Sequence, residues 1–395
     1  MSTYRLTILP GDGTGPEVVR EAERLLDVVE AYTNLRFDKT TIPCGGKYYL
    51  ETGLEWPEGS FEKCRDESDA ILLGAIGWPG ATLPNGDLAG GQVILGLRSG
   101  LNLYANIRPI KLYEGVKHKI HDEFTQVWHP SNVDMLVLRE NTEGLYHSLL
   151  RRSALRAVGE EPDEDPSMDF GGLEGEVAWD PRPISRTGVE RLVKLGFAYA
   201  QRRGGAPGDG LSRVTCVDKS NVTRGCQLFR KVFHEIGEDF PDISKDEAYI
   251  DAFTMWMVRN PEWFDVVVTS NMFGDIATDL GSVLQGGMGM AASANIGDNH
   301  GLFEPVHGSS PKYTGKGVVN PIATLNSVQM MVEWLGIRHD DQEALHVAEA
   351  IDIAITQHLK EGEQLTYDLG GSASTSEVGV AISERLAKIL ASAQS

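Results

Sequence analysis

Cysteine is scarce in this sequence: 395 residues contain four, Cys44, Cys64, Cys216 and Cys226, and no two of them form a CxxC pair. Neither a disulfide framework nor a zinc ribbon is therefore expected to organise the chain. No apolar run approaches the roughly 18 residues that a membrane-spanning helix needs. The opening residues, MSTYRLTILPGDG, resemble neither a secretory signal nor an Arg/Ser-rich leader. A soluble cytoplasmic protein is expected. Basic charge is also in short supply, with 36 Lys and Arg against 57 Asp and Glu and a formal net charge of −21. Such a chain repels phosphate backbones and anionic lipid, so neither nucleic acid nor a membrane surface is an expected partner. An anionic ligand would require the few basic residues to be gathered where it binds.

Apolar residues are plentiful at 41% of the chain, and apolar runs recur to its end. At about 150 residues per domain, the length suits two or three domains or one two-lobed unit. Tyr4 to Leu9 reads as a strand, Pro10 to Pro16 as a Gly-rich loop, and Val18, Val19, Ala22, Leu25, Leu26 and Val29 fall at helical spacing. Short apolar runs at Ala70 to Leu73, Met135 to Leu138, Val214 to Val217 and Val266 to Val268 alternate with helical stretches, as in an α/β chain with buried strands. Ala157 to Val177 is acidic and rich in Gly and Pro, and reads as an exposed insertion.

GDGTGPE at 11 to 17 has turn chemistry before a helix, but its glycines fall at alternate positions and do not meet GxGxxG, so a Rossmann reading is rejected. FDVVVTSNMFGDIATDL at 264 to 280 says more. A buried strand runs into Asn271 and a helix on which Asp275 and Asp279, four residues apart, share a face. These carboxylates suit Mg²⁺ or Mn²⁺, or are simply solvated acids favoured near a helix N-terminus. Arg98, Arg108 and Arg139 lie beside strand-like segments and form either a carboxylate clamp or surface ion pairs. Tyr146 and Lys219 are candidate acid and base.

Together, GDGTGPEVV, LNLYANIRP, RENTEGLY, DKSNV, the FDVVVTSNMFGDIATDL block and EPVHGSSPKYTGKGVVNPIA stand in the order and spacing of the β-decarboxylating dehydrogenases, and the chain resembles that family over nearly its whole length. These are the isocitrate, 3-isopropylmalate, homoisocitrate, tartrate and D-malate dehydrogenases. The resemblance implies an obligate dimer with a two-domain α/β/α fold that is not Rossmann. A large cofactor-binding domain would comprise residues 1–105 and 286–395, and a small dimerisation and substrate domain residues 106–285, carrying the acidic insertion 157–177. By the same resemblance Arg98, Arg108 and Arg139 hold the malate carboxylates. Asp275 and Asp279, with Asp251 from the partner subunit, hold the metal. Tyr146 and the partner's Lys219 act as acid and base while hydride leaves for a nicotinamide and CO₂ is then lost.

The resemblance also places cofactor contacts at Asn221, Glu304, His307, Gly308, Lys312, Tyr313, Val319, Asn320 and Tyr367. Lys312 and Tyr313 stand where NAD-linked relatives carry an acid and a small apolar residue, which favours NADP, although Gly371 falls where a further Arg would be expected. Substrate choice rests on GGQVILGLR at 90 to 98. Gln92 and Ile94 replace the Ser and Asn that bind the third carboxylate of isocitrate, and Ile94 with Leu95 matches the apolar pair of isopropylmalate enzymes. Gly91, in place of their usual acid, and GGMGMAASAN at 286 to 295 point away from them. The expected substrate is a 3-substituted malate with an apolar or only weakly polar substituent, with 3-isopropylmalate as the named choice. The alternatives are isocitrate, tartrate, D-malate or homoisocitrate, or a regulatory subunit without activity.

Overall fold

The computed structural model describes residues 2–84, 86–160 and 180–393; beyond residue 160, the acidic insertion lies outside the described residues. The strands are β1 (Ser2–Gly11), β2 (Leu35–Thr41), β3 (Ala70–Ala75), β4 (Ala105–Lys111), β5 (His118–Ile120), β6 (Glu123–Thr125), β7 (Asp134–Glu140), β8 (Arg213–Asp218), β9 (Ser244–Tyr249), β10 (Val266–Thr269), β11 (Ala292–Ile296) and β12 (Gly301–Pro305). Ten of them form one sheet in the order β2-β1-β3-β12-β11-β4-β7-β10-β8-β9, and β5 with β6 makes a separate hairpin.

Two parallel blocks make up this sheet, β2-β1-β3-β12 and β7-β10-β8-β9. Antiparallel pairings of β12 with β11, β11 with β4 and β4 with β7 join them. The inner parallel strands β3, β7, β8 and β10 carry the uninterrupted apolar runs legible in the sequence, as expected of strands covered on both faces. On one flank, helices Gly15–Tyr32, Ile322–His339, Gln342–Glu361 and Thr375–Ala393 pack together; on the other, Arg186–Ala200 lies beside Arg224–Gly237. Val18, Val19, Ala22, Leu25, Leu26 and Val29 of the first helix are all buried. Burying such side chains contributes about 1.5–3 kcal/mol each. Helix Gly91–Gly100 rests on a smaller apolar cluster through Val93 and Leu97, with Ile94 packed at its margin. All four cysteines are buried and free. Among the described residues no helix is long and apolar enough to cross a membrane.

The GDGTGPE loop has a structural task. Gly13, at φ +59, presses against the backbone of Ser309 so closely that a Cβ there would sit 2.0 Å from the Ser309 carbonyl oxygen. Thr14 donates its amide to that oxygen at 2.8 Å and its hydroxyl at 3.1 Å. Glu17 accepts the amides of Gly315 at 2.5 Å and Gly317 at 3.0 Å. The loop thus grips the segment that follows β12.

Candidate active site

Helix Asn271–Leu284 organises the centre. It leaves the end of β10 and lies down on β4 and β7, and Gly274 and Gly281 make that possible. A Cβ on Gly274 would meet the Arg139 side chain at 2.6 Å, and one on Gly281 would meet Ile110 at 2.3 Å. Seven residues apart, these glycines share the packed face, and Asp275 and Asp279 are set at its border.

Arg139 is fully buried and donates from Nε and Nη2 to Asn271 Oδ1 at 3.0 and 2.7 Å. Its Nη1 pairs with Asp275. Arg108, also buried, donates to Asn106 Oδ1 and Thr278 Oγ1 at 2.6 Å each, and its other arm lies 3.4 Å from Asp275. Tyr146, half-buried on the turn after β7, donates its hydroxyl to Asp275 Oδ2 at 3.1 Å. Asp279 is exposed, 3.9 Å from Arg108. Burial pushes the ionisation of Arg139 down to about 9, and the neighbouring Arg108 charge adds to the effect. Burial by itself would raise the Asp275 carboxyl, but Arg139 and Arg108 overcome it and hold the group below its ordinary value. Asp279 is raised by its partial burial, with Asp275 adding repulsion. Burial and the Asp275 charge also raise the Tyr146 hydroxyl. Two guanidiniums, two carboxylates and a phenol therefore meet at the helix. The carboxylates are hard oxygen donors of the kind a divalent cation takes, while the guanidiniums suit an anionic ligand.

Arg98 joins this group through β12, donating to Glu304 Oε1 at 2.8 Å. Its Nε is buried without a partner. Asn295 donates to the same Glu304 oxygen at 2.8 Å, and Asn106 and Asn141 donate to Asn295 Oδ1 at 2.7 and 3.0 Å. This buried amide chain runs through β4, β11 and β12 with no periodic signature, and was not anticipated; neither was the role of Thr278. Ile94 and Leu95 lie one turn before Arg98 and are partly buried. Gln92 faces elsewhere: its carboxamide donates to the Arg156 carbonyl at 2.6 Å.

Lys219 and Asp251 form their own pair at 2.5 Å. Among the described residues no hydrogen bond or ion pair links them to the arginines, and no cluster of three or more metal-binding side chains occurs within one chain.

A cleft of about 330 Å³ opens beyond the far end of the helix, lined by His307, Tyr313, Val319, Asn320 and Tyr367 together with Thr14, Val283 and Gly286–Gly289. His307 Nε2 is buried there without a partner. The rings of Tyr313 and Tyr367 lie 5.6 Å apart, and the Lys312 and Lys316 ammonium groups lie 4.8 and 5.5 Å from the Tyr313 ring centre. The Tyr313 hydroxyl is lowered by its hydrogen bonds with Tyr367 and Lys312. Asn221, Glu304, Gly308 and Lys312 do not line this cleft: Asn221 is exposed two residues beyond Lys219, Gly308 is exposed, Glu304 is engaged by Arg98, and Lys312 lies against the Tyr313 ring. Lys119, which also lines the cleft, sits in no recognisable motif, whereas Lys316 stands inside EPVHGSSPKYTGKGVVNPIA with nothing in the sequence to mark it as a contact.

The profile of the isocitrate/isopropylmalate dehydrogenases matches residues 5–382. The chain belongs to this family. A 3-isopropylmalate dehydrogenase from Thermobifida fusca (strain YX) is 38% identical over 98% of both chains. A 3-isopropylmalate/3-methylmalate dehydrogenase from Methanocaldococcus jannaschii is 37% identical over 97% of this chain and 99% of its own length. Among solved structures, an isocitrate dehydrogenase from Methylococcus capsulatus superimposes with a TM-score of 0.76 at 31% identity, covering 97% of this chain and 99% of that one. Membership of the isocitrate/isopropylmalate dehydrogenase family makes the chain a decarboxylating hydroxyacid dehydrogenase with a small-molecule substrate, and its mixed α/β fold around a large central sheet agrees with these neighbours. Family members depend on a nicotinamide cofactor and a divalent metal.

Proposed function

We propose that the chain oxidises and decarboxylates a 3-substituted malate with an apolar substituent, 3-isopropylmalate in the first instance, with NADP preferred to NAD and with Mg²⁺ or Mn²⁺. The observation that carries this reading is the helix Gly91–Gly100, which joins Arg98 of the buried arginine group to Ile94 and Leu95 one turn earlier, while Gln92 is turned to the Arg156 carbonyl. No polar side chain then stands one turn before Arg98 to receive a third carboxylate. The similarity to the Thermobifida 3-isopropylmalate dehydrogenase and the Methanocaldococcus 3-isopropylmalate/3-methylmalate dehydrogenase supports the same substrate.

In this reading Arg98, Arg108 and Arg139 orient the malate carboxylates. Asp275 and Asp279 hold the metal with Asp251 of a second copy. Lys219, also from the second copy, takes the proton of the 2-hydroxyl. Tyr146, oriented by Asp275, returns a proton to the carbon that loses CO₂. When bound, the cation supplies Lewis-acid polarisation and the nicotinamide the hydride acceptor. Separation of the Lys219–Asp251 pair from the arginines within one chain supports a homodimer with shared sites. So do the exposed Met255, Trp256 and Ile276 on the adjacent helices Ile250–Arg259 and Asn271–Leu284. We assign residues 1–105 and 286–395 to a cofactor-binding lobe and 106–285 to a dimerisation lobe.

The test is turnover of 3-isopropylmalate, isocitrate, homoisocitrate, D-malate and tartrate by the purified protein with Mg²⁺ and either NADP or NAD. A kcat/KM for 3-isopropylmalate at least about tenfold above that for isocitrate is expected, since one apolar group is worth roughly 10–200-fold. Preference for isocitrate would overturn the apolar pocket. Silence on the whole panel would overturn this reading and point to a specialised substrate outside the panel or to a non-catalytic subunit.

A further inference from the structure

The cleft that holds Tyr313 and Tyr367 also draws a side chain from a distant hairpin. Lys119 lines it, and belongs to the hairpin of β5 and β6. Three features fix that hairpin. His118 is buried, with its ring bonded to the Leu284 carbonyl at 3.0 Å through Nε2 and accepting the Val127 amide at 3.2 Å through Nδ1. His121 and Asp122, at φ 51 and 61, form the two-residue turn that suits the twist of tightly paired strands. Phe124 packs on Gly370, where a Cβ would meet its ring at 3.3 Å. Lys119 lies directly opposite Phe124 in the ladder. Cross-strand partners project from the same face, so Lys119 is presented to the turn of Tyr367–Leu369 and Gly370.

That turn leads into Gly371, where the chain lacks the Arg expected of an NADP site. We propose that Lys119 supplies the missing cation and binds the 2′-phosphate of NADP beside Lys312 and Tyr313. The proposal rests on the NADP reading given above. An ammonium on a rigid hairpin serves a phosphate as a point charge. Its present partner is weak. Asp122 lies 3.2 Å away with its side chain 94% exposed, and Lys119 is itself 43% exposed, so a dianionic phosphate readily outcompetes this solvated pair.

Binding without turnover tests this. The purified protein is titrated calorimetrically with 2′,5′-ADP and with 5′-AMP, which differ only in the 2′-phosphate. The wild type is expected to prefer 2′,5′-ADP. Lys119→Ala should weaken 2′,5′-ADP by about tenfold and leave 5′-AMP unchanged, with an unaltered thermal unfolding curve. Asp122→Asn, which frees the ammonium, should tighten 2′,5′-ADP by about twofold. Lys312→Asp with Tyr313→Ile should abolish the preference altogether. If the wild type prefers 2′,5′-ADP and Lys119→Ala keeps that preference within twofold, the assignment of Lys119 is overturned while NADP stands. If the wild type shows no preference, the NADP reading falls and Lys119 with it.

Discussion

Replacing Asp275 by Asn keeps the size of the side chain and removes the charge that two buried guanidiniums share. Arg139 and Arg108 are 2% and 7% exposed, and Asp275 is 36% exposed. Breaking a fully buried ion pair by deleting one partner costs about 3–5 kcal/mol, because the surviving charge is left without compensation. Partial exposure of Asp275 screens the interaction, and Asn271 and Thr278 still accept from the arginines. The expected loss is therefore about 2–3 kcal/mol at pH 7. Equilibrium urea unfolding in EDTA at fixed protein concentration measures it, and the slope should match that of the wild type. The pH dependence supplies a second check. The folded-state ionisation of Asp275 lies below its unfolded value, so its stabilisation is present above that unfolded value and is lost as pH falls through the folded one. The gap between wild type and variant should thus close below about pH 4. A gap under about 0.5 kcal/mol at pH 7, or one that grows on acidification, refutes the idea that Asp275 compensates the arginines.

Two further outcomes are expected. Tyr146→Phe, which deletes the hydroxyl that Asp275 orients, should lower kcat by about 10²–10⁴-fold and change stability by less than about 1 kcal/mol. A kcat within threefold of wild type in steady-state assays removes Tyr146 from the proton transfers. Gly13→Ala forces a Cβ against the Ser309 carbonyl at a positive φ, and should destabilise the fold by about 2–3 kcal/mol and weaken 5′-AMP binding. Unchanged urea and binding curves would show that the two segments part easily.

The buried parallel strands could be read from the chain because each carries its own apolar run. Val266 to Val268 became β10, and Met135 to Leu138 became the middle of β7. The segment around Arg108 was also legible as β4, but nothing local announced that it pairs antiparallel with both β11 and β7. Those pairings depend on residues far apart in sequence, and β11 is built of small and polar residues, Ala292–Ile296. At the site, the charged side chains could be named in advance, but the amides that hold them could not. Asn106 meets Ser293 and Asn295 across almost two hundred positions, and a lone Asn in a strand gives no sign of whether it is buried or solvated. Lys119 was missed for a related reason: only the fold of a distant hairpin brings it to the tyrosines. GDGTGPE does not meet the GxGxxG pattern, so its sequence gives no sign of its task. Its use became visible once Ser309 was seen against Gly13.

Helix Asn271–Leu284 reaches from the arginines, through Asp275, to the cleft of Tyr313 and Tyr367, through Val283. Eight residues at 1.5 Å each set those two points about 12 Å apart along a rigid rod. Seated on β4 and β7 by Gly274 and Gly281, the rod cannot stretch or slide. Under the proposed function the ligands are measured against a fixed gauge, and a larger or smaller substituent on the acid has to be accommodated by Gly91–Gly100, which rests on its own small apolar cluster. A lineage changing its substrate would be expected to rewrite that second helix and leave the gauge alone.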